Sequence, residues 1–115
     1  MSKGIVIAAL LFVSAHILSW LQLNMQFLSE WWAGKGLLSV IVFGIPCGLL
    51  FWYAWGQATN SLDKSLWGAR FLSFGLSYLT FPIMTHYFFG ESMFTPKTMI
   101  CVFLSFVIMF VQIYA

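Results

Sequence analysis

The sequence predicts an all-α integral membrane protein, built as a bundle of four transmembrane helices. Of its 115 residues, 62% are hydrophobic and only 7% are charged, whereas soluble domains are roughly 45–50% apolar and about 25% charged. A chain this short cannot bury so much apolar surface in water, because small domains have little interior. Its apolar runs are continuous and match the roughly 20 residues that a helix needs to cross a bilayer.

Four spans joined by three short loops fill the chain as one membrane domain covering residues 1–115. We expect the spans at about residues 5–28, 37–58, 66–89 and 97–115. Thr95 followed by Pro96 indicates where the fourth span starts, because a hydroxyl N-cap and a first-turn proline suit a helix start. Asp63 or Ser65 is expected to cap the third span in the same way.

The distribution of charged residues predicts the orientation of the chain in the membrane only weakly. Lys3, Lys64 and Arg70 lie towards one side of the predicted bundle, and Lys35 and Lys97 lie towards the other. Basic residues favour the cytoplasmic side, so the N-terminus is either cytoplasmic or the chain inserts both ways. An even number of spans places both termini on the same side. We expect a multi-pass protein of a bacterial inner membrane.

The first span carries a polar stripe. At about 100° per residue, His16, Ser19 and Gln26 fall within roughly 80° of one another, and Gln22 is adjacent. Polar groups are costly in the hydrocarbon core and therefore suggest function. The stripe either faces a cavity or forms hydrogen bonds that hold helices together.

Arg70 defines a second polar stripe, in the third span. It lies about one turn inside the span, where it either snorkels to the headgroups or faces inward together with Ser73, Ser77 and Thr80. In the second case the two stripes lie opposite each other across a cavity. None of the predicted spans contains a carboxylate, so Arg70 would pair with a loop carboxylate, a lipid phosphate or a substrate anion. The predicted substrate-binding residues are His16, Ser19, Gln22, Gln26, Arg70, Ser73 and Ser77.

The sequence contains no motif of an enzyme. It has no Ser/His/Asp order, no zinc-protease motif and no phosphate-binding loop. Two histidines without acidic partners do not make a metal site, and a net charge of +2 is too small for a nucleic-acid footprint. We therefore expect no catalytic residue, no cofactor, no metal and no nucleic-acid partner.

Local sequence adds a family resemblance. The run from Tyr87 to Lys97, and Trp67-Gly68-Ala69 before it, are similar to the corresponding turns of the drug/metabolite transporter superfamily. Four spans in about this length, with minimal loops, resemble its small multidrug resistance proteins. Multidrug members carry a membrane-embedded glutamate in the first span, where this chain has Ser14-Ala15-His16. The likeness is therefore closer to carboxylate-poor branches, which include subunits of lipid-linked-sugar flippases.

That resemblance implies a small transporter or flippase that moves a small polar, anionic or lipid-linked substrate. It also implies that the protein functions within the lipid bilayer, either as a homodimer or as a hetero-oligomer with other membrane proteins. The alternative is a non-transporting accessory or structural subunit of a larger membrane complex. The 13 Phe, 6 Trp and 4 Tyr favour this alternative, because they can form a surface that packs against other subunits. A lesion-forming holin fits less well, because the chain has four spans and lacks a basic C-terminal tail.

Overall fold

Four helices account for nearly all of the structure. The computed structural model describes residues 3–91 and 94–114, so Ser92 and Met93 of the predicted third loop lie outside it, as does the last residue of the fourth span. The helices are α1 (Lys3–Leu28), α2 (Gly36–Ser61), α3 (Leu66–Phe89) and α4 (Pro96–Tyr114). Each described end lies within one turn of the predicted span edge. The all-α prediction is confirmed for the described residues.

Three of the helices, α1, α2 and α4, are long and apolar enough to cross a membrane. Only 17–22% of the residues in their most apolar stretches are buried within the chain, so most of this apolar surface needs a non-aqueous environment or a partner. The third helix is 24 residues long and is less apolar, because it carries Arg70, His86 and several hydroxyl side chains.

Hydroxyl caps start the third and fourth helices. Of the two candidates for α3, Ser65 is the cap: the backbone N–H of Gly68 donates to Ser65 Oγ at 2.9 Å. Asp63 instead lies in the turn before it, with a left-handed φ of 55°. At α4, Thr95 Oγ1 accepts from the backbone N–H of Thr98 at 3.3 Å. The helix start predicted at Thr95 is therefore confirmed.

Small residues allow α1 and α2 to pack closely. Ala8 and Ala15 of α1, and Ala54 and Ala58 of α2, have no exposed surface. Between them lies Phe12, which is also completely buried. Small side chains let two helix backbones approach, which is how helices associate where lipid removes the hydrophobic driving force.

The second helix contains one wide turn. Its first residues are α-helical, Val40–Gly44 form a π-helical turn, and Ile45–Ser61 return to α-helix. On one side of the π turn Ser39 Oγ donates to the Gln22 carbonyl at 2.6 Å, and on the other Cys47 Sγ donates to the Ala15 carbonyl at 3.3 Å. The wide turn thus lies between two fixed attachments to α1.

The fourth helix is peripheral. Within residues 3–91 and 94–114 it packs against α3 alone, through a narrow face formed by Val102, Ser105 and Met109. Gly75 of α3 lies directly against Met109. The other sides of α4 are exposed, so α1, α2 and α3 form the central group and α4 lies beside it.

Candidate functional site

A partly open cavity of about 200 Å³ lies between α1 and α3. We call it the His16 cavity. It is lined by residues of these two helices: His16, Ser19, Trp20, Leu23, Asn24, Ser77, Thr80 and Phe81. Polar positions from the first and third predicted spans therefore face each other across an open space at this level.

His16 lies at one end of the cavity and joins the two helices. Its Nε2 is 3.0 Å from the Ser73 carbonyl oxygen and 3.2 Å from Ser73 Oγ. A carbonyl can only accept, so the shorter contact requires that Nε2 carry the hydrogen. The ring also meets Phe51 edge-on, with centroids 5.1 Å apart. Within the described part of the chain Nδ1 has no hydrogen-bond partner, which leaves one ring nitrogen for a bound molecule.

The remaining polar side chains of the cavity are neutral. Ser77 Oγ donates to the Phe74 carbonyl at 2.6 Å, and Asn24 Nδ2 donates to the Trp20 carbonyl at 2.9 Å. The Ser19 hydroxyl forms no hydrogen bond with any described residue. These groups leave hydroxyl and amide oxygens that can accept and a Ser19 hydroxyl that can donate. The cavity therefore suits a small polar group held by hydrogen bonds.

Trp20 and Thr85 were not predicted from the sequence. Trp20 Nε1 donates to Thr85 Oγ1 at 3.1 Å in a buried bond between α1 and α3, and the Trp20 ring stacks on Phe88 with centroids 5.2 Å apart. The sequence does hold a signal for such a bond. Trp20 lies well inside the first span, far from the headgroups that normally satisfy an indole N–H, so it needs a buried acceptor.

The structure does not keep the predicted polar stripe of α1 together. Gln22 and Gln26 line a second, separate cavity of about 380 Å³, which we call the loop-1 cavity. It lies between α1, the loop that follows it and the start of α2. Leu23 lines both cavities and lies between them. Of the predicted binding residues, His16, Ser19 and Ser77 therefore line the first cavity, and Ser73 adjoins it through its bond to His16.

Arg70 lines neither cavity. Its side chain is exposed, and within the described residues it forms no ion pair. It lies about one turn after the start of α3. This position matches the snorkelling arrangement, in which a long basic side chain reaches the headgroup level.

No grouping of side chains suggests a metal centre. In residues 3–91 and 94–114, no three His, Cys, Asp or Glu side chains come close enough together to hold an ion. The chain matches no protein-family model, no curated protein and no solved structure. The resemblance to the drug/metabolite transporter superfamily therefore stays a prediction.

Proposed function

We propose that the chain is a four-span membrane protein that acts as a small transporter or flippase of the drug/metabolite transporter type. The observation that carries this proposal is the His16 cavity. Two helices bring polar side chains to the same level, yet an open space lies between them. Hydrogen bonds that serve only to hold helices together would fill this space with direct contacts.

Length and connections support α3 as the fourth span. Its 24 residues extend over about 36 Å at 1.5 Å per residue, enough for a hydrocarbon core of roughly 30 Å. It packs against each of the three more apolar helices. Short connections, residues 62–65 and 90–95, hold it antiparallel to its neighbours, so both termini would lie on the same side.

The form of the cavity favours a substrate that approaches from within the membrane. Its lining comes from α1 and α3 without a contribution from α2 or α4, and none of its lining residues is charged except when His16 is protonated. A polar headgroup could enter between the two helices while its acyl tail stays in lipid. We therefore propose a small polar or lipid-linked substrate for this cavity. A second copy or another membrane subunit would complete the working unit.

Flipping of a labelled lipid tests this proposal. Vesicles containing the full chain receive NBD-phosphatidylglycerol, and dithionite then bleaches the label that reaches the outer leaflet. We expect the wild type to expose inner-leaflet label and Ser77→Leu, which fills the cavity, to prevent it. Ser14→Leu is the matched control, since Ser14 is exposed and lies outside the cavity lining. Equal rates in both variants would exclude the cavity as the path.

A non-transporting accessory subunit is the second candidate, favoured by the peripheral α4. Its exposed apolar face is broad and includes Phe103, Val107 and Phe110. Gentle purification from the native membrane separates the two proposals. A fixed stoichiometry with larger subunits, together with no flipping in vesicles, would favour the accessory role. Recovery of this chain alone would count against it.

A further inference from the structure

The loop-1 cavity differs in chemistry from the His16 cavity. It is lined by Gln22, Leu23, Gln26, Trp32, Gly34, Lys35, Gly36, Ser39 and Val40. These residues come from the last turns of α1, the loop after it and the first turns of α2. In a bilayer this level is that of the headgroups, where indole rings and basic side chains are typical.

Lys35 gives the loop-1 cavity a positive charge. Its Nζ donates to the Trp31 carbonyl and lies 4.2 Å from the centroid of the Trp31 ring. An ammonium group has three donors, so donors remain for a ligand. Both contacts also hold the flexible side chain in place before anything binds. Glu30, the acidic residue of the same loop, is not a lining residue, so the lining carries no negative charge.

Gln22 adds an unused amide. This side-chain amide forms no hydrogen bond with any residue that the structure describes, although Gln22 lines the cavity. Its amide lies against α2, where a Cβ added at Gly44 would come within 3.0 Å of Gln22 Oε1. The neighbouring hydroxyl, Ser39 Oγ, is already committed to the Gln22 carbonyl. Free donors among the lining residues therefore include the Lys35 ammonium and the Gln22 amide.

A cation and an amide donor that line the same cavity suit a ligand that only accepts hydrogen bonds and carries negative charge. Phosphate oxygens have both properties, and charge-assisted hydrogen bonds are about twice as strong as neutral ones. We propose that the loop-1 cavity binds a phosphate group, supplied by a lipid headgroup or by a phosphate ion. This binding does not require transport through the His16 cavity.

Lipid titration of the purified full chain in detergent tests the proposal, with bound phosphatidylglycerol counted by native mass spectrometry. We expect Lys35→Gln to weaken binding about tenfold, as loss of a charge-assisted bond implies, and Lys35→Arg to retain it. Lys97→Gln is the matched control. It removes one exposed lysine from the first turn of α4, on the side predicted for Lys35. Diacylglycerol, which lacks the phosphate, should not bind at this site.

Inorganic phosphate distinguishes the two sources. Competition with phosphatidylglycerol in the wild type would show that the phosphate group alone is recognised, and a lack of competition would assign the site to lipid. Equal weakening by Lys35→Gln and Lys97→Gln would reduce the effect to general surface charge and overturn the proposal. Unchanged binding in Lys35→Gln, or equal binding of diacylglycerol, would overturn it too. None of these results depends on whether NBD-phosphatidylglycerol is flipped.

Discussion

Adding one methyl group at Gly75 should separate α4 from α3. A Cβ at this position would lie 2.5 Å from Met109 Sδ, 2.8 Å from its Cβ and 3.0 Å from its Cγ. The sulfur could move aside by rotation of the side chain, but Met109 Cβ is fixed to the backbone of α4. Gly75→Ala therefore requires a shift of the helix itself. Overpacking of this kind typically costs about 1–3 kcal/mol.

Unfolding of the full chain in mixed micelles by increasing SDS, followed by circular dichroism, measures this cost. Gly48→Ala is the matched control, because a Cβ at Gly48 meets nothing within 4 Å. We expect the control to unfold at the same SDS fraction as the wild type or slightly later. Met109→Ala in the Gly75→Ala background removes the atoms in conflict and should restore part of the lost stability.

Two results would refute this reasoning. If Gly75→Ala unfolds together with Gly48→Ala, the close contact between α3 and α4 is not present in the folded protein. If Gly75→Ala is destabilised and the double variant with Met109→Ala is less stable still, the added methyl group meets something other than Met109. A double-mutant cycle gives the coupling energy directly.

Two further predictions concern buried groups. Trp20→Phe keeps a ring but leaves the buried Thr85 hydroxyl without its partner, and should cost about 1–3 kcal/mol in the same SDS titration. Trp52→Phe is the control, because Trp52 is 72% exposed, and it should not lower stability. Equal losses of stability in the two variants would show that the buried bond does not stabilise the fold. In mild detergent a maleimide should modify Cys101, which is exposed, whereas Cys47 is buried and should react only after SDS is added. Early modification at both sites would contradict the packing of α1 against α2.

Periodicity alone placed several residues of the His16 cavity. His16 and Ser19 lie on neighbouring positions of one helix face, and Ser77 falls on the third helix where a facing stripe was expected. The same angular reading joined Gln22 and Gln26 to this face, whereas the structure separates them with Leu23. Gln22 lies against α2 instead, where Ser39 Oγ donates to its backbone carbonyl and Gly44 lies close to its amide. A partner helix of this kind cannot be inferred from the periodicity of α1.

Long-range pairs lie beyond such a reading as well. Trp20 and Thr85 are distant in sequence, and their bond depends on how α1 and α3 are rotated and shifted relative to each other. His16 and Ser73 present the same problem, since the deciding acceptor is a backbone carbonyl that no side-chain pattern reports. Capping is different, because the acceptors at Ser65 and Thr95 serve nearby N–H groups. Local sequence predicted Thr95 and limited the cap of α3 to Asp63 or Ser65.

The π turn in α2 compensates for a difference of one residue between the spacings of the paired groups on α2 and on α1. Ser39 and Cys47 are eight positions apart, but the α1 carbonyls that they reach, of Gln22 and Ala15, are only seven apart. At roughly 100° per residue, eight α-helical positions overshoot two full turns by about 80°, whereas seven nearly complete them. The wide turn absorbs the surplus residue and returns both side chains to the same face. Residues 40–44 are therefore the place where this helix can lose one residue and still keep both attachments.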